Sequence, residues 1–208
     1  VYGPVVTTLD PARWHPDLDV PNDMRVDKQP GEILVYHAVG NYKTRRGGER
    51  DIKGTGAVMA AIEQLKAEGL PVRLIFAHDV PSTRVRFLQV QADIVVDQLN
   101  YGRYGANARE SMMLGRPTIC RLTSRQASPL PPLRPIKEAP MLDAGEDTVI
   151  DVLRALVIDR ERRLELGRKA RDFALAWHGQ DACAERYERV IDRIRAGLSP
   201  ECDELYPA

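Results

Sequence analysis

Two stretches of the sequence hold side chains whose types and spacing could do chemistry. The first, Asn41-Tyr-Lys-Thr-Arg-Arg-Gly-Gly-Glu-Arg-Asp-Ile-Lys-Gly54, gathers five cations (Lys43, Arg45, Arg46, Arg50 and Lys53) around a Gly-Gly pair. Such a loop can clamp a diphosphate, arginine through forked hydrogen bonds and lysine as a point charge. A solvated loop with no specific role for its charges is an equal reading on position alone. The second stretch is Gly102-Arg-Tyr-Gly-Ala-Asn-Ala-Arg-Glu-Ser-Met-Met-Leu-Gly-Arg-Pro117. There Gly102 and Gly105 open a helix directly after a strand, so free backbone N–H groups and the positive end of the helix dipole favour an anion. Glu110, about two turns into that helix, can accept hydrogen bonds from ribose hydroxyls; the plainer alternative pairs it with Arg109 or Arg116. His37 ends a strand and is either a ligand contact or, more commonly for such a position, a hydrogen-bonded core residue. His78, beside Asp79, sits where a base could dock. No metal-ligand spacing, catalytic triad, dinucleotide fingerprint or Walker loop is present, so no metal site is expected.

These groups need a scaffold, and the hydrophobic pattern supplies one. Glu32-Ile-Leu-Val-Tyr-His-Ala-Val39 reads as a buried parallel strand. Val58, Ala61, Ile62 and Leu65 recur at helical spacing up to a cap at Gly69. The alternation continues with a strand over 72–77 and a short helix through Gln91, for which Ser82 is the expected N-cap. A strand over 93–96, a helix over 104–114 and a strand over 117–122 follow. A short fifth strand is expected near Leu133 to Ile136. Helices over 147–158, 160–177 and 180–196 finish the chain, the last with Cys183, Tyr187, Val190, Ile191 and Ile194 on one stripe. Alternating strands and helices imply an α/β, Rossmann-like three-layer domain with a parallel sheet. Ligands then bind beyond the carboxyl ends of the strands. The candidate loops are 40–53, 78–81, 98–104 and 123–132. Residues 1–31, with Tyr2 and Trp14 as anchors, read as a lead-in across the domain surface, 32–198 as the domain and 199–208 as a tail. The start at Val1 suggests a piece of a longer protein.

Thirty basic residues balance thirty acidic ones, so net charge implies no general affinity for nucleic acid or anionic membranes. Hydrophobic residues at 43% and charged ones at 29% fit a soluble globular domain. Three scattered cysteines suit a reducing cytoplasm better than a disulfide framework. No apolar run reaches transmembrane length.

Taken together, His37-Ala-Val-Gly-Asn41, Ile52-Lys-Gly-Thr55, Ala92-Asp-Ile-Val-Val-Asp-Gln-Leu99 and Gly102-x-Tyr-Gly-x-x-x-x-Glu-Ser-Met-x-x-Gly-Arg-Pro117 resemble the C-terminal half of group 1 (family 4) glycosyltransferases of GT-B architecture. The resemblance covers Gly31 to about Leu198. It implies a domain that binds a nucleoside diphosphate sugar as donor substrate, with no further cofactor, in a retaining transferase of hexosyltransferase type. The partners implied are that nucleotide sugar, an acceptor of unspecified kind, and an N-terminal domain that this chain lacks; any membrane-peripheral association would come through that domain. The family's diphosphate lysine corresponds to Lys53, and its arginine partner to Arg50 first and Arg46 second. Glu110 corresponds to the ribose-binding glutamate, the backbone of Tyr104, Gly105, Ala106 and Asn107 would meet phosphate, and Val80 would meet the base. One departure stands out: Gly102 occupies the place of a sugar-contacting glutamate, a role left to Asp97 or to backbone N–H groups. Two other readings stay open, a degenerate non-catalytic nucleotide-binding module and half of a sugar-nucleotide epimerase. On the transferase reading, this chain by itself binds nucleotide but does not turn over.

Overall fold

A computed structural model describes residues 8–40, 51–122 and 139–200. Five strands form one parallel sheet: β1 (Ile33–Val39), β2 (Val72–His78), β3 (Ile94–Val96), β4 (Thr118–Cys120) and β5 (Leu142–Asp143), in the spatial order β2-β1-β3-β4-β5. The helices are α1 (Thr55–Ala67), α2 (Val85–Gln89), α3 (Ala106–Met113), α4 (Val149–Ile158), α5 (Arg160–His178) and α6 (Gln180–Arg195).

Successive residues of β1 point to opposite faces, which explains why the strand is apolar throughout. Ile33 and Val35 pack with Val58, Ile62 and Leu65 of α1 and Leu153 and Leu156 of α4. Leu34 and Tyr36 face the other way, toward Ile75, Ala77 and Val95. On that second side Met112 and Met113 of α3 meet Ala170 and Ala174 of α5, and Trp14 of the lead-in joins them. The result is the expected α/β three-layer, Rossmann-like sandwich. The lead-in is tied down further where the Leu9 amide donates to the carbonyl of His178 at 2.7 Å and where the Val26 amide donates to Gln91 Oε1 at 2.8 Å. No helix among the described residues is long and apolar enough to cross a membrane.

Three local expectations change, and a fourth lies outside the described residues. The fifth strand of the sheet is Leu142–Asp143, beside β4; the segment expected to supply it, 133–136, lies outside the described residues, as do Tyr2 and the loop 123–132. Ser82 caps nothing, because a turn closed by the Arg84 amide on the Pro81 carbonyl intervenes and α2 starts at Val85. Helix α3 starts at Ala106, with extended Gly105 as its N-cap residue, rather than at Tyr104. Only the first part of the α6 stripe is covered: Cys183 is buried, while Tyr187, Ile191 and Ile194 are exposed. Arg186 anchors the helix instead, donating to the carbonyl of Trp177 at 2.8 Å and lying 4.6 Å over its ring.

Candidate functional site

From β1 the chain steps outward to β2, then crosses to β3 on the other side of β1 and on to β4 and β5. Such a reversal opens a crevice beyond the carboxyl ends of the two central strands. A cavity of about 440 Å³ lies there, lined by Tyr36, Val39 and Gly40 from the end of β1, by Ile52 and Lys53, by Asp79 and Val80 after β2, by Gln98 after β3, and by Gly105, Ala106, Asn107 and Glu110. Lys53, Glu110, Gly105, Ala106, Asn107 and Val80 are thus brought together. Arg46 and Arg50 lie outside the described residues.

Lys53 is placed by its neighbours. Asp51 accepts hydrogen bonds from the amides of Lys53 and Gly54, each at 3.0 Å, and of Thr55 at 3.2 Å, closing the open end of α1. Gly54 sits at φ +66°, and a Cβ there would lie 2.9 Å from that of Leu99. The turn therefore demands glycine twice over, for its left-handed backbone and for want of room.

Asp97 follows β3 and is fully buried. Its carboxylate pairs with the Lys53 ammonium. It also accepts from the Gly105 amide and from Asn107 Nδ2, both at 3.3 Å. One acid thereby joins the lysine to the first turn of α3. A buried charge is tolerated when it is paired and hydrogen-bonded in this way.

Glu110 stands on the same helix one turn further along. Burial pushes its carboxyl up to about 7, against the opposing pull of a 3.4 Å hydrogen bond from Gln89 and of the Arg109 charge. Gln89, also fully buried, binds Asn107 Oδ1 at 2.7 Å. The Tyr36 hydroxyl is buried without a hydrogen-bond partner among the described residues, and Tyr36 lines the cavity. Native interiors leave few such groups unsatisfied, so this hydroxyl is one that a water or a ligand atom in the cavity can complete. Asp79 adds a second irregularity: it is the one described non-glycine residue at positive φ (56°), at the cavity rim. Strain of this kind gathers at binding sites.

Three further sequence candidates do not line the cavity. His37 is fully buried, with Nδ1 2.9 Å from the Val96 carbonyl and Nε2 3.0 Å from Thr55 Oγ1. Burial lowers its pKa to about 4, so it is a neutral core histidine tying β1 to β3 and α1, not a ligand contact. Tyr104 turns its side chain away from the cavity, its hydroxyl 3.3 Å from His178 Nε2 and the rings edge-to-face. Gly102 does not line the cavity and has φ +79°. A glutamate at that position would meet a backbone conformation costing roughly 1 kcal/mol for a side-chain-bearing residue, so the glycine belongs to the local turn.

Sequence reasoning passed over Asp51, Tyr36 and Gln89. Asp51 carried a readable signal, a short acid just ahead of the glycine that opens a helix. The other two look like ordinary core residues in sequence.

Among solved structures, the C-terminal domain of a glycosyl transferase group 1 family protein (LpcC) from Francisella tularensis matches with a TM-score of 0.58 and 16% identity, over 83% of this chain and 99% of that one. The chain has the fold of a GT-B glycosyltransferase C-terminal domain. Sucrose-phosphate synthase from Thermosynechococcus elongatus matches at TM-score 0.61 and 15% identity, over 92% of this chain and 52% of that one. Anabaena Alr3699/HepE, in complex with UDP and glucose, matches at 0.58 and 11%, over 89% and 55%. The chain spans about half the length of these last two proteins. No family model matches the sequence, and no curated protein does. In the GT-B C-terminal fold seen here, the cavity beside Asp97 opens at the carboxyl ends of β1 and β3.

Proposed function

We propose that this chain is the donor-binding domain of a retaining group 1 glycosyltransferase, and that its cavity takes the nucleoside diphosphate part of a nucleotide sugar. The observation that carries the reading is the convergence of Lys53, the amides opening α3 and Glu110 on one cavity at the strand-order reversal. The Lys53 ammonium and the N-terminus of α3 supply positive potential for a diphosphate, where charge builds up as the sugar departs. Glu110 accepts from ribose hydroxyls, and the rim at Asp79 and Val80 is left for the base. The Anabaena protein of like fold holds UDP and UDP-glucose, which makes uridine diphosphate the first ligand to try.

Asp97 sets the order of events. With no ligand it neutralises Lys53; an arriving diphosphate competes for the same ammonium and leaves Asp97 on Gly105 and Asn107. The acceptor and the remainder of the cleft belong to an N-terminal domain, so transfer requires that domain. Gly102, where the resemblance expects a sugar-contacting glutamate, favours a second reading, a nucleotide-binding module without transfer. Calorimetric titration of UDP, GDP and ADP tests the site. Binding of one of them that falls at least tenfold in Lys53→Ala is expected on either reading; no binding of any of the three defeats both. Addition of the N-terminal domain then separates them, since sugar transfer is expected only of the transferase.

A further inference from the structure

The larger of the two cavities described, about 660 Å³, lies at the other end of the sheet, below the donor site. It is lined by Asp93 and Pro117, which lead into β3 and β4, by the turn at Gly115 and Arg116, and by one side of α5. Six cations line it, Lys28, Arg116, Arg160, Arg163, Arg168 and Arg171, against two carboxylates, Asp93 and Asp172. That concentration stands out in a chain whose charges sum to zero.

The local partners leave much of this charge uncompensated. Lys28 is neutralised by Asp93 at 2.7 Å, and Arg160 meets exposed Glu161 at 3.2 Å. Arg163 and Arg171, however, are held by neutral backbone oxygens. Arg163 donates to the carbonyls of Leu156 and Val157, and Arg171 to those of Trp14 and Met113. These contacts fix the guanidinium groups without cancelling their charge. Arg116 is the most telling: its Nε is buried with no hydrogen-bond partner among the described residues. Burial lowers its pKa, while the carboxylates of Asp93 and Asp17 only partly offset this. A buried guanidinium edge with nothing to bind is costly unless an anion completes it. The floor is fixed by a close backbone approach: a Cβ on Gly167 would lie 2.4 Å from the Gly115 carbonyl oxygen. Forked N–H groups on a rigid floor match the oxygens of a phosphate.

We propose that this cavity is a second anion site, separate from the donor cavity, which binds a phosphate-bearing ligand through Arg116, Arg168 and Arg171. Two sources offer that chemistry, a soluble phosphate ester and an anionic lipid headgroup. Inorganic pyrophosphate, titrated calorimetrically, is the probe for the first. Sedimentation with phosphatidylcholine vesicles containing phosphatidylglycerol is the probe for the second.

Pyrophosphate binding that weakens at least tenfold in Arg116→Gln and severalfold in Arg168→Gln, yet survives Lys53→Ala, is the expected result. Arg168 is exposed on α5, so its variant keeps the fold and guards against misreading an unfolded protein. Vesicle binding lost in the same two variants supports the site with a lipid headgroup as its source; pyrophosphate binding without vesicle binding supports it with a soluble ester. Absence of both, or binding indifferent to Arg116 and Arg168, overturns the proposal. UDP affinity is expected to be unchanged in Arg168→Gln, so failure of this site and failure of the donor reading give different results.

Discussion

At the carboxyl end of the sheet one described cation, Lys53, shares a cavity with Asp79 and Glu110 and is paired to Asp97; at the amino end six cations face two carboxylates. The zero net charge of the sequence hides this division. The difference lies in the partners as much as in the counts. At the carboxyl end a buried carboxylate meets Lys53 and neutralises it. At the amino end arginines rest on backbone carbonyls, which orient them and leave their charge available. Local potential, not total charge, decides what an anion meets.

Each end rests on one glycine, and the comparison can be broken there first. Gly167→Ala forces a methyl group onto the Gly115 carbonyl and parts α5 from the turn before β4. A loss of about 3 kcal/mol is expected in urea unfolding; a change below about 1 kcal/mol would show that the amino end is not rigidly floored. Gly54→Ala comes next, with about 2 kcal/mol from the left-handed backbone and the contact with Leu99. It should also weaken UDP binding, because it moves Lys53; unchanged affinity would mean that Lys53 is not positioned by this turn.

The pH response sharpens the contrast at the carboxyl end. Glu110 holds its proton in the folded chain up to about 7, whereas its ordinary value is 4.5. The folded state therefore binds the proton more tightly, and this group's contribution to stability falls as pH rises from about 4.5 toward 7. Glu110→Gln removes that fall, on the order of 1 kcal/mol after discounting for its partial exposure. Thermal melts at pH 5 and pH 8 should thus show the variant gaining on the parent at the higher pH. Parallel pH profiles would contradict the buried, proton-holding carboxyl. The smallest effect is expected far from both ends: Ile191→Lys, on the exposed stripe of α6, should change stability by less than about 0.5 kcal/mol. A larger loss would mean that α6 is covered in solution.

Much of the scaffold could be read from hydrophobic periodicity, because β1 and α1 are long and regular; Val58, Ala61, Ile62 and Leu65 all point into the core as their spacing requires. The fifth strand escaped because it is two residues long, and its pairing with β4 is a tertiary event with no local signature. Lys53 and Glu110 could be named from spacing and resemblance. Their electrical state could not, since it depends on Asp97 being sealed beneath Lys53 and on how deeply Glu110 is buried. Position leaves His37 open between a ligand contact and a core residue, and only packing, which seals it against Val96 and Thr55, decides for the core. In sequence Arg116 is only a candidate partner for Glu110. Only the fold shows its Nε buried without a partner among the described residues.

The central claim is that the cavity beside Asp97 binds a nucleoside diphosphate. Titrating UDP into isotopically labelled protein and following backbone amide shifts tests it most directly. The largest shifts are expected at Lys53, Val80 and the stretch Gly105, Ala106 and Asn107, with Arg116 and Gly167 still. Shifts confined to Arg116 and its surroundings, or none at saturating UDP, would contradict it.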